Sequence, residues 1–340
     1  MKFLIIKLSA LGDIVQTLPA LTLLKKYLPS SKIDWVIDKR YAEILENHPY
    51  INKLFVISKE DYKSLRKFFR FIRTLRKTYY DAVIDYQGLL KSGIIVGLSK
   101  GKYKIGFKNH REFSPFFYNI KLPPYDPEIH AVKRYINLSK EILRLFDLKI
   151  NENFNEVLEA LFPKEIFDLN PFFKEPYIIF IPTARWKTKT WFFSYWEKLI
   201  YLCEDVRKNF HILITGSKNE KELKIWAKEM ESKYKKVYSL VGKLNLKELV
   251  AVINKARLVV CVDTGPMHIA SALKKPIIAL FGPTSPNRTG PWNTRYQILS
   301  ADIKCRPCFK KNCKTLECLK KITPELVKDA IEKELSLVKS

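Results

Sequence analysis

The run ARLVVCVDTGPMHIASALKKPIIALFGPTSP, residues 256–286, carries the clearest fold signal in the chain. It predicts four successive elements: a buried strand over 258–262, a tight turn at 263–265, a helix over 266–275 and an apolar strand over 277–281. The first strand is apolar throughout rather than alternating, which is typical of a parallel sheet covered on both faces. Pro266 suits the first turn of a helix, where its missing N–H would have no partner. This run therefore predicts one unit of an α/β sheet.

The turn of this unit, Asp263-Thr264-Gly265, has the composition of an anion site. Asp and Thr favour helix starts, and Gly lets the backbone approach a ligand closely. A helix N-terminus after a parallel strand presents N–H groups and a positive dipole end, which favour a phosphate or pyrophosphate. His268, on the first helical turn, would face the same anion. The alternative is a purely structural turn, in which Asp263 caps the helix and His268 belongs to the core.

Strand and helix patterns alternate in both halves of the chain, which predicts two doubly wound α/β domains. The 340 residues, 47% of them hydrophobic, exceed what one core usually holds. We expect domains at 1–160 and 161–322, and a final helical segment, 323–340, that packs back toward the first domain. The start of the chain lacks the pattern of a secretory signal, and no apolar run approaches the ~18 residues of a membrane span. We therefore expect a cytoplasmic protein.

The charge is strongly positive, with 61 Lys and Arg against 35 Asp and Glu and a net charge of +26. Such an excess predicts an anionic partner: nucleic acid, an acidic membrane surface or a phosphorylated substrate. A lysine-rich solubility surface is the alternative. No helix-turn-helix, RRM or zinc-finger signature is present, so we expect no specific nucleic-acid binding.

The segment 61–80 concentrates this charge on a predicted helix. Its apolar positions, predicted to share one face, are Leu65, Phe68, Phe69, Ile72 and Leu75. Seven cations and no acid lie between residues 63 and 77. A charged helix is usually a solvated face, but this density favours an anionic membrane surface.

The first predicted strand, over 3–6, runs into Ser9-Ala10-Leu11-Gly12-Asp13 and then a helix. Gly12 stands alone, so the G-x-G-x-x-G dinucleotide pattern is absent. Asp13 is either a favourable charge at the start of a helix or a catalytic carboxylate at the mouth of the first parallel strand.

Three segments carry a family resemblance: KLSALGDIVQTLPAL (7–21), YDAVIDYQGLLKS (80–92) and DTGPMHIASAL (263–273). They resemble the ADP-heptose:lipopolysaccharide heptosyltransferases, glycosyltransferase family 9. The segments IDWVIDKRYAEI (33–44), REFSPFFYN (111–119) and HAVKRY (130–135) are most similar to the heptosyltransferase I branch. The resemblance covers nearly the whole chain. It implies a GT-B fold of two Rossmann-like doubly wound domains facing across a cleft, with the acceptor mostly on the first and ADP-heptose mostly on the second.

The resemblance also implies roles for single residues. Asp13 matches the general base of an inverting transfer, Lys189 a contact of the donor phosphates, and Glu220 an acidic residue near the nucleoside. Thr183 and Arg185 are expected beside the diphosphate. The other donor-binding residues implied are Gly216, Asp263, Thr264, Gly265 and His268, and the acceptor-binding residues are Ser9, Gly12, Gln87, Lys91, Arg111 and Arg134.

On this resemblance the donor is ADP-L-glycero-D-manno-heptose, and the acceptor is Kdo-lipid A or inner-core lipopolysaccharide. The enzyme would then work on the cytoplasmic face of the inner membrane, docked through residues 61–80. No D-x-D occurs, so we expect no cofactor and metal-independent chemistry. The alternatives are a heptosyltransferase II- or III-type acceptor, another GT-B sugar-nucleotide enzyme such as a non-hydrolysing epimerase, and a nucleic-acid-binding protein explained by charge alone.

Four cysteines are closely spaced near the end of the chain: Cys305, Cys308, Cys313 and Cys318. Four thiols at this spacing are compatible with a structural zinc ion, with disulfide pairing or with free thiols. Similar cysteine-rich tails occur in some family members but are not typical of the heptosyltransferase I branch.

Overall fold

The computed structural model describes residues 1–150, 159–168 and 174–337. It divides into two compact units, Met1–Lys164 and Glu165–Ser340. Each unit contains one six-stranded sheet whose strand pairs are all parallel. The division falls close to the boundary expected at 160.

The first unit is a doubly wound sheet with the strand order β3-β2-β1-β4-β5-β6. Its strands are β1 (Lys2–Ile6), β2 (Lys32–Asp38), β3 (Lys53–Ile57), β4 (Tyr80–Asp85), β5 (Gly101–Phe107) and β6 (Ile120–Leu122). Its helices are α1 (Leu11–Tyr27), α2 (Lys59–Lys63), α3 (Leu65–Leu75), α4 (Leu90–Leu98) and α5 (Ala131–Leu145), with 3₁₀ turns at Lys39–Ile44 and Ser114–Phe117. This is the strand order of a dinucleotide-binding Rossmann domain.

The second unit repeats that order, β12-β11-β10-β7-β8-β9. Its strands are β7 (Tyr177–Ile181), β8 (His211–Ile214), β9 (Val237–Ser239), β10 (Leu258–Val262), β11 (Ile277–Leu280) and β12 (Tyr296–Leu299). Its helices are α6 (Phe193–Leu202), α7 (Glu204–Asn209), α8 (Lys221–Lys233), α9 (Leu246–Lys255), α10 (Gly265–Ala272), α11 (Pro286–Thr289), α12 (Glu317–Lys320) and α13 (Pro324–Ser336), with 3₁₀ turns at Lys164–Ile166 and Lys187–Lys189. Among the described residues, no helix is long and apolar enough to cross a membrane.

The strand β10 lies where the apolar run predicts it, and all five of its residues are buried. It pairs in parallel with β7 on one side and β11 on the other. Helices cover both faces of such a parallel sheet, which explains why neither face of β10 carries polar residues. The helix after it, α10, ends at Ala272 rather than at 275. Lys274 takes a left-handed backbone with φ 56°, and Pro276 follows it, so the helix cannot continue.

The helix α3 is less buried than its pattern predicts. Ile72 and Leu75 lie in the core, and Phe68 packs against it. Leu65 and Phe69, expected on the same face, are 77% and 57% exposed. The apolar face of α3 is therefore split between the protein core and solvent.

The last helix, α13, buries Val327, Ala330 and Ile331 in the core of the second unit. The final helical segment, predicted at 323–340, is thus packed into the core of the second unit. Its expected approach to the first domain stays a prediction.

The point at which the strand order reverses in each sheet determines where most of the candidate residues lie. In a doubly wound sheet, ligands bind beyond the carboxyl ends of the strands at which the order reverses. These strands are β1 and β4 in the first unit and β7 and β10 in the second. Most of the candidate residues follow them directly, at 9–13, 87–92, 183–189 and 263–268. The others are Gly216 and Glu220 after β8, Arg111 after β5 and Arg134 on α5.

Candidate functional site

In the second unit, Asp263 binds a lysine from a neighbouring loop. Lys189 Nζ lies 2.6 Å from Asp263 Oδ2, and the Thr284 hydroxyl donates to the same oxygen at 2.6 Å. Only 4% of the Asp263 side chain is exposed, so its charge is compensated by a cation and a hydroxyl at contact distance. Asp263 therefore orients Lys189 and does not cap α10, whose N-cap residue is Thr264.

The start of α10 presents its backbone at the same turn. Thr264 makes no side-chain hydrogen bond to the helix, and Pro266 occupies a first-turn position. The N-terminus thus offers N–H groups and a positive dipole end beside the ammonium of Lys189. His268 is buried on this helix. The arrangement combines two features that bind a phosphate group.

Aromatic and backbone contacts fix the loop that carries Lys189. Lys189 Nζ lies 4.8 Å from the centroid of the Trp186 ring, and Lys311 Nζ lies 5.3 Å from the same centroid. The buried Thr188 hydroxyl donates to the carbonyl of Lys310 at 2.9 Å. Arg185 projects into solvent. Contacts of the loop with Trp186, Lys310 and Lys311 therefore fix the position of Lys189, whereas Arg185 is solvent-exposed.

Three other predicted donor residues meet at the ends of β7 and β8. The Thr183 hydroxyl donates to Glu220 Oε1, and the backbone N–H of Ser217 donates to Glu220 Oε2 at 2.6 Å. Gly216 is required by packing, because a Cβ there would lie 2.2 Å from Leu223 Cδ2. Thr183, Gly216 and Glu220 thus form one small cluster.

The cysteine segment packs against the loop that follows β11. Cys308 N donates to Pro283 O at 3.0 Å, and Arg306 Nε donates to Gly282 O at 2.5 Å. Within residues 1–150, 159–168 and 174–337, no three His, Cys, Asp or Glu side chains are arranged to hold a metal ion. Of the three states left open by the sequence, the structure has the four cysteines as free thiols. The segment supports the loop that supplies Thr284.

In the first unit, Asp13 lies in the first turn of α1, just after β1. The backbone N–H of Ala10 donates to Asp13 Oδ2 at 3.0 Å, and the Tyr135 hydroxyl donates to Oδ1 at 3.3 Å. Both donors are neutral, and the carboxylate is partly exposed. Asp13 is oriented without direct neutralisation, and its remaining lone pairs are open to a proton donor.

A buried cation, Lys7, lies behind Asp13. Lys7 Nζ donates to the Tyr135 hydroxyl at 2.8 Å and to the Tyr86 carbonyl at 3.0 Å. Burial lowers the pKa of Lys7 to about 8, although the nearby carboxylates oppose this. The charges that face Lys7 are those of Asp13, Asp85, Arg134 and Arg111. Tyr135 therefore links a cation to a carboxylate, accepting from the first and donating to the second.

Gln87 joins the loops after β1 and β4. Its Oε1 accepts from the backbone N–H groups of both Leu8 and Ser9 at 3.0 Å. Behind it, the fully buried Asp85 accepts from Gln87 N at 2.9 Å and from the Tyr118 hydroxyl at 2.6 Å. Burial raises the pKa of Asp85, and these hydrogen bonds oppose that rise. Gln87 thus shapes the loop of Ser9, Gly12 and Asp13.

The basic acceptor candidates occupy different surroundings. Arg111 N donates to Gly88 O at 3.0 Å, beside Gln87. The Arg134 guanidinium lies 4.9 Å from the centroid of the Tyr125 ring. Lys91 is exposed on the first turn of α4, with Nζ 5.1 Å from the centroid of the Tyr62 ring. Arg111 and Arg134 act electrostatically on Lys7, whereas the contact of Lys91 is with α2.

Comparison with known proteins decides the family. The family model of Glycosyltransferase family 9 (heptosyltransferase) matches residues 68–319. Lipopolysaccharide heptosyltransferase 1 of Pseudomonas aeruginosa is 32% identical over 325 residues, which cover 92% of this chain and 87% of that protein. The chain belongs to glycosyltransferase family 9. It is a glycosyltransferase, and the family predicted from the sequence is confirmed.

Solved structures agree with this assignment. The structure of Escherichia coli heptosyltransferase WaaC with ADP matches with a TM-score of 0.81 and 27% identity, over 98% of this chain and all of that one. WaaC with ADP-2-deoxy-2-fluoro heptose matches with a TM-score of 0.80 at 27% identity, over 98% and 99% of the two chains. The predicted GT-B class with two Rossmann-like domains is confirmed.

Three residues of this family 9 glycosyltransferase were given no site role by the sequence analysis: Lys7, Tyr135 and Thr284. A signal existed for Lys7, because a lysine directly after the buried apolar strand β1 must find partners. Thr284 follows β11 in the loop after a parallel strand, which is also a general site position. Tyr135 had no such signal, since 122 residues separate it from Asp13.

Proposed function

We propose that this glycosyltransferase transfers L-glycero-D-manno-heptose from ADP-heptose to Kdo-lipid A or the inner core of lipopolysaccharide, with inversion. The relatives described above are heptosyltransferases of lipopolysaccharide, solved with ADP and with a fluorinated ADP-heptose. The observation that carries the proposal is the Lys189–Asp263 pair beside the start of α10. An ammonium and a helix N-terminus presented together suit a diphosphate.

The donor half of the reaction follows from this pair. As the bond to the sugar breaks, negative charge builds on the departing ADP. Lys189 and the first N–H groups of α10 would stabilise that charge, because they are already oriented before the donor binds. Glu220, held by Thr183 and Ser217, would accept hydrogen bonds from the ribose hydroxyls.

Asp13 would act as the general base. The acceptor hydroxyl must lose a proton as it attacks the anomeric carbon, and a carboxylate within reach can take it. The Ala10 N–H and the Tyr135 hydroxyl hold Asp13 in one orientation, while Lys7 places a positive charge behind it. Arg111 and Arg134 would bind the anionic groups of the acceptor.

The surplus positive charge would hold the enzyme at the cytoplasmic face of the inner membrane. The helix α3 exposes Arg66, Lys67, Arg70 and Arg73. Each cation near an anionic surface contributes about 1 kcal/mol of attraction. Binding should therefore fall as salt screens these charges.

A transfer assay with mass-spectrometric detection tests the function. We expect turnover with ADP-heptose and Kdo-lipid A, and none with UDP- or GDP-sugars. Transfer only to a heptose-bearing core would replace the acceptor assignment with a heptosyltransferase II- or III-type one. Conversion of a nucleotide sugar without an acceptor would instead indicate an epimerase, and oligonucleotide binding without transfer would support the charge-only alternative.

A further inference from the structure

Three segments of the first unit leave large apolar side chains in solvent. They are α3, the start of α4 and the segment around the 3₁₀ turn Ser114–Phe117. The residues concerned, called here the apolar rim, are Leu65, Phe69, Leu90, Phe113 and Phe116, and they are between 40% and 79% exposed. A group of this size on one unit needs an explanation, whereas scattered single residues do not.

Side-chain contacts join α3 to α4. The ring of Phe69 lies 6.1 Å from that of Phe68, which lies 6.0 Å from Tyr62. Lys91 Nζ, on the first turn of α4, lies 5.1 Å from the centroid of the same Tyr62 ring. The exposed residues of α3 and the start of α4 therefore belong to one surface.

A second set of contacts joins α4 to the aromatic segment. The backbone N–H of Leu90 donates to Glu112 Oε2 at 3.2 Å. The rings of Phe113 and Phe116 lie 6.1 Å apart. The three segments of the apolar rim are thus neighbours, from α3 through Leu90 to Phe116.

The backbone holds Phe113 and Phe116 outward, while their neighbour Phe117 is half-buried against the core. Glu112 and Phe113 both take left-handed backbone, with φ 54° and 60°, which is unusual for residues with bulky side chains. Phe117 packs against two glycines of α4, since a Cβ at Gly93 or Gly97 would lie 2.7 or 2.6 Å from its ring. The turn is anchored through Phe117, so the exposure of the other two rings is part of the fold.

Cations surround the apolar rim. Arg66, Lys67, Arg70 and Arg73 lie on α3, Lys91 on α4, and Arg111 beside the aromatic segment. Lys121 Nζ lies 5.9 Å from the centroid of the Phe116 ring. Apolar side chains interleaved with Lys and Arg match the boundary between anionic headgroups and acyl chains.

We propose that the apolar rim inserts into an anionic lipid bilayer while the surrounding cations contact its headgroups. The proposal deepens the proposed function, because it adds hydrophobic insertion to the electrostatic docking of α3. Arg111 lies just before the same segment, and its backbone N–H donates to Gly88 O, beside the Asp13 loop. Insertion of Phe113 and Phe116 would therefore bring this loop to the headgroup level, where a lipid-anchored acceptor presents its sugars.

Vesicle sedimentation of the full chain tests the proposal, using phosphatidylglycerol–phosphatidylethanolamine and phosphatidylcholine vesicles at low and high salt. Wild type should bind the anionic vesicles and keep a part of this binding at high salt. Phe113→Ser/Phe116→Ser should lose that salt-resistant part, a loss of roughly 10- to 100-fold in partitioning. Arg66→Gln/Arg70→Gln/Arg73→Gln should instead lose mainly the salt-sensitive part.

The matched control is Tyr201→Ser/Ile225→Ser, which removes two equally exposed apolar side chains from the second unit. It should bind as wild type does. The proposal would be overturned if Phe113→Ser/Phe116→Ser bound vesicles as strongly as wild type at both salt concentrations. It would also be overturned if wild type formed a dimer that these substitutions dissociate. A Phe116→Trp variant whose fluorescence brominated anionic lipids fail to quench would also overturn it. Phe113→Ser/Phe116→Ser should transfer sugar to a deacylated acceptor at the wild-type rate. Absence of this transfer in wild type would refute the transferase proposal without bearing on membrane insertion.

Discussion

The two units place an aspartate at the same kind of position, near a helix start after a parallel strand, and surround it differently. Asp263 is 4% exposed and lies 2.6 Å from the ammonium of Lys189. Asp13 is partly exposed and accepts from two neutral donors at 3.0 and 3.3 Å. The cation nearest to Asp13 in this network, Lys7, reaches it only through the hydroxyl of Tyr135.

This difference separates two chemical roles. A carboxylate already neutralised by a lysine and a hydroxyl is suited to hold that lysine in place, and it is a poor proton acceptor. A carboxylate oriented by neutral hydrogen bonds keeps both its charge and free lone pairs. One local fold would therefore serve both proposed roles, a clamp for the donor in the second unit and a base in the first.

The strongest way to break the comparison is Asp13→Asn. The amide keeps the size of the side chain but cannot accept the proton, so kcat should fall by roughly 10²- to 10⁴-fold. ADP affinity, measured by isothermal titration calorimetry, should stay at the wild-type level. Asp126→Asn, an exposed change in the same unit, is the control. Full turnover of Asp13→Asn would remove Asp13 from the mechanism.

Lys189→Met should act on the donor instead. A charged hydrogen bond to the diphosphate is lost, so ADP affinity should fall about 10- to 100-fold. Lys187→Met, an exposed change in the same 3₁₀ turn, should leave it unchanged.

A double-mutant cycle then isolates the role of Asp263. If this carboxylate acts by holding Lys189, Lys189→Met/Asp263→Asn should bind ADP no more weakly than Lys189→Met alone. Additive losses would show that Asp263 contacts the donor itself.

How far the sequence predicted these two sites depends on the distance between their parts. The strand, turn and helix of residues 258–272 are contiguous, so periodicity and turn chemistry were enough to predict an anion site there. The bond from Thr284 to Asp263 spans 21 residues and that from Tyr135 to Asp13 spans 122. Such contacts arise when the sheet assembles, and one sequence contains no local pattern for them.

The exposure of α3 shows a different limit. Helical spacing gave its apolar positions correctly but could not say how far the core extends. Leu65 lies about two helical turns before Ile72, so the same periodicity describes buried Ile72 and exposed Leu65.

The next prediction concerns the pH dependence that Lys7 confers. The folded pKa of about 8 lies below the ordinary 10.5, because burial disfavours the ammonium. As the pH rises through about 8, the positive charge beside Asp13 is lost, so the site attracts the anionic acceptor less strongly. The kcat/KM for the acceptor, which reports the titration of the free enzyme, should therefore fall with a midpoint near that value. Lys7→Met should show a lower plateau without this alkaline limb.

Titration of Lys7 does not predict unfolding as the cause of this fall, because its effect on the free energy of unfolding has the opposite sign. Between pH 8 and 10.5 the unfolded chain holds the Lys7 proton more tightly, so this group's contribution to the free energy of unfolding rises with pH. In thermal melts between pH 8 and 10.5, wild type should therefore lose no more stability than Lys7→Met does. A wild-type profile that stays flat to pH 9 would contradict the role given to Lys7.

The smallest effect is expected for Tyr135→Phe, which removes only the hydroxyl between Lys7 and Asp13. Burial raises the pKa of Tyr135 well above its ordinary value, so the hydroxyl stays protonated and donates throughout the working range. Its hydrogen bond to Asp13 is long, at 3.3 Å, and the ring that contacts Lys7 Nζ remains. A net hydrogen bond contributes about 0.5–1.5 kcal/mol, so kcat should fall about 2- to 12-fold with an unchanged KM for the donor. Tyr177→Phe, whose hydroxyl donates to Val252 O in the second unit, is the control and should leave kcat unaltered. A fall in kcat as large as that of Asp13→Asn would show that Tyr135 takes part in the proton transfer. The proposed base of the first unit would then consist of two residues, as the proposed clamp of the second unit does.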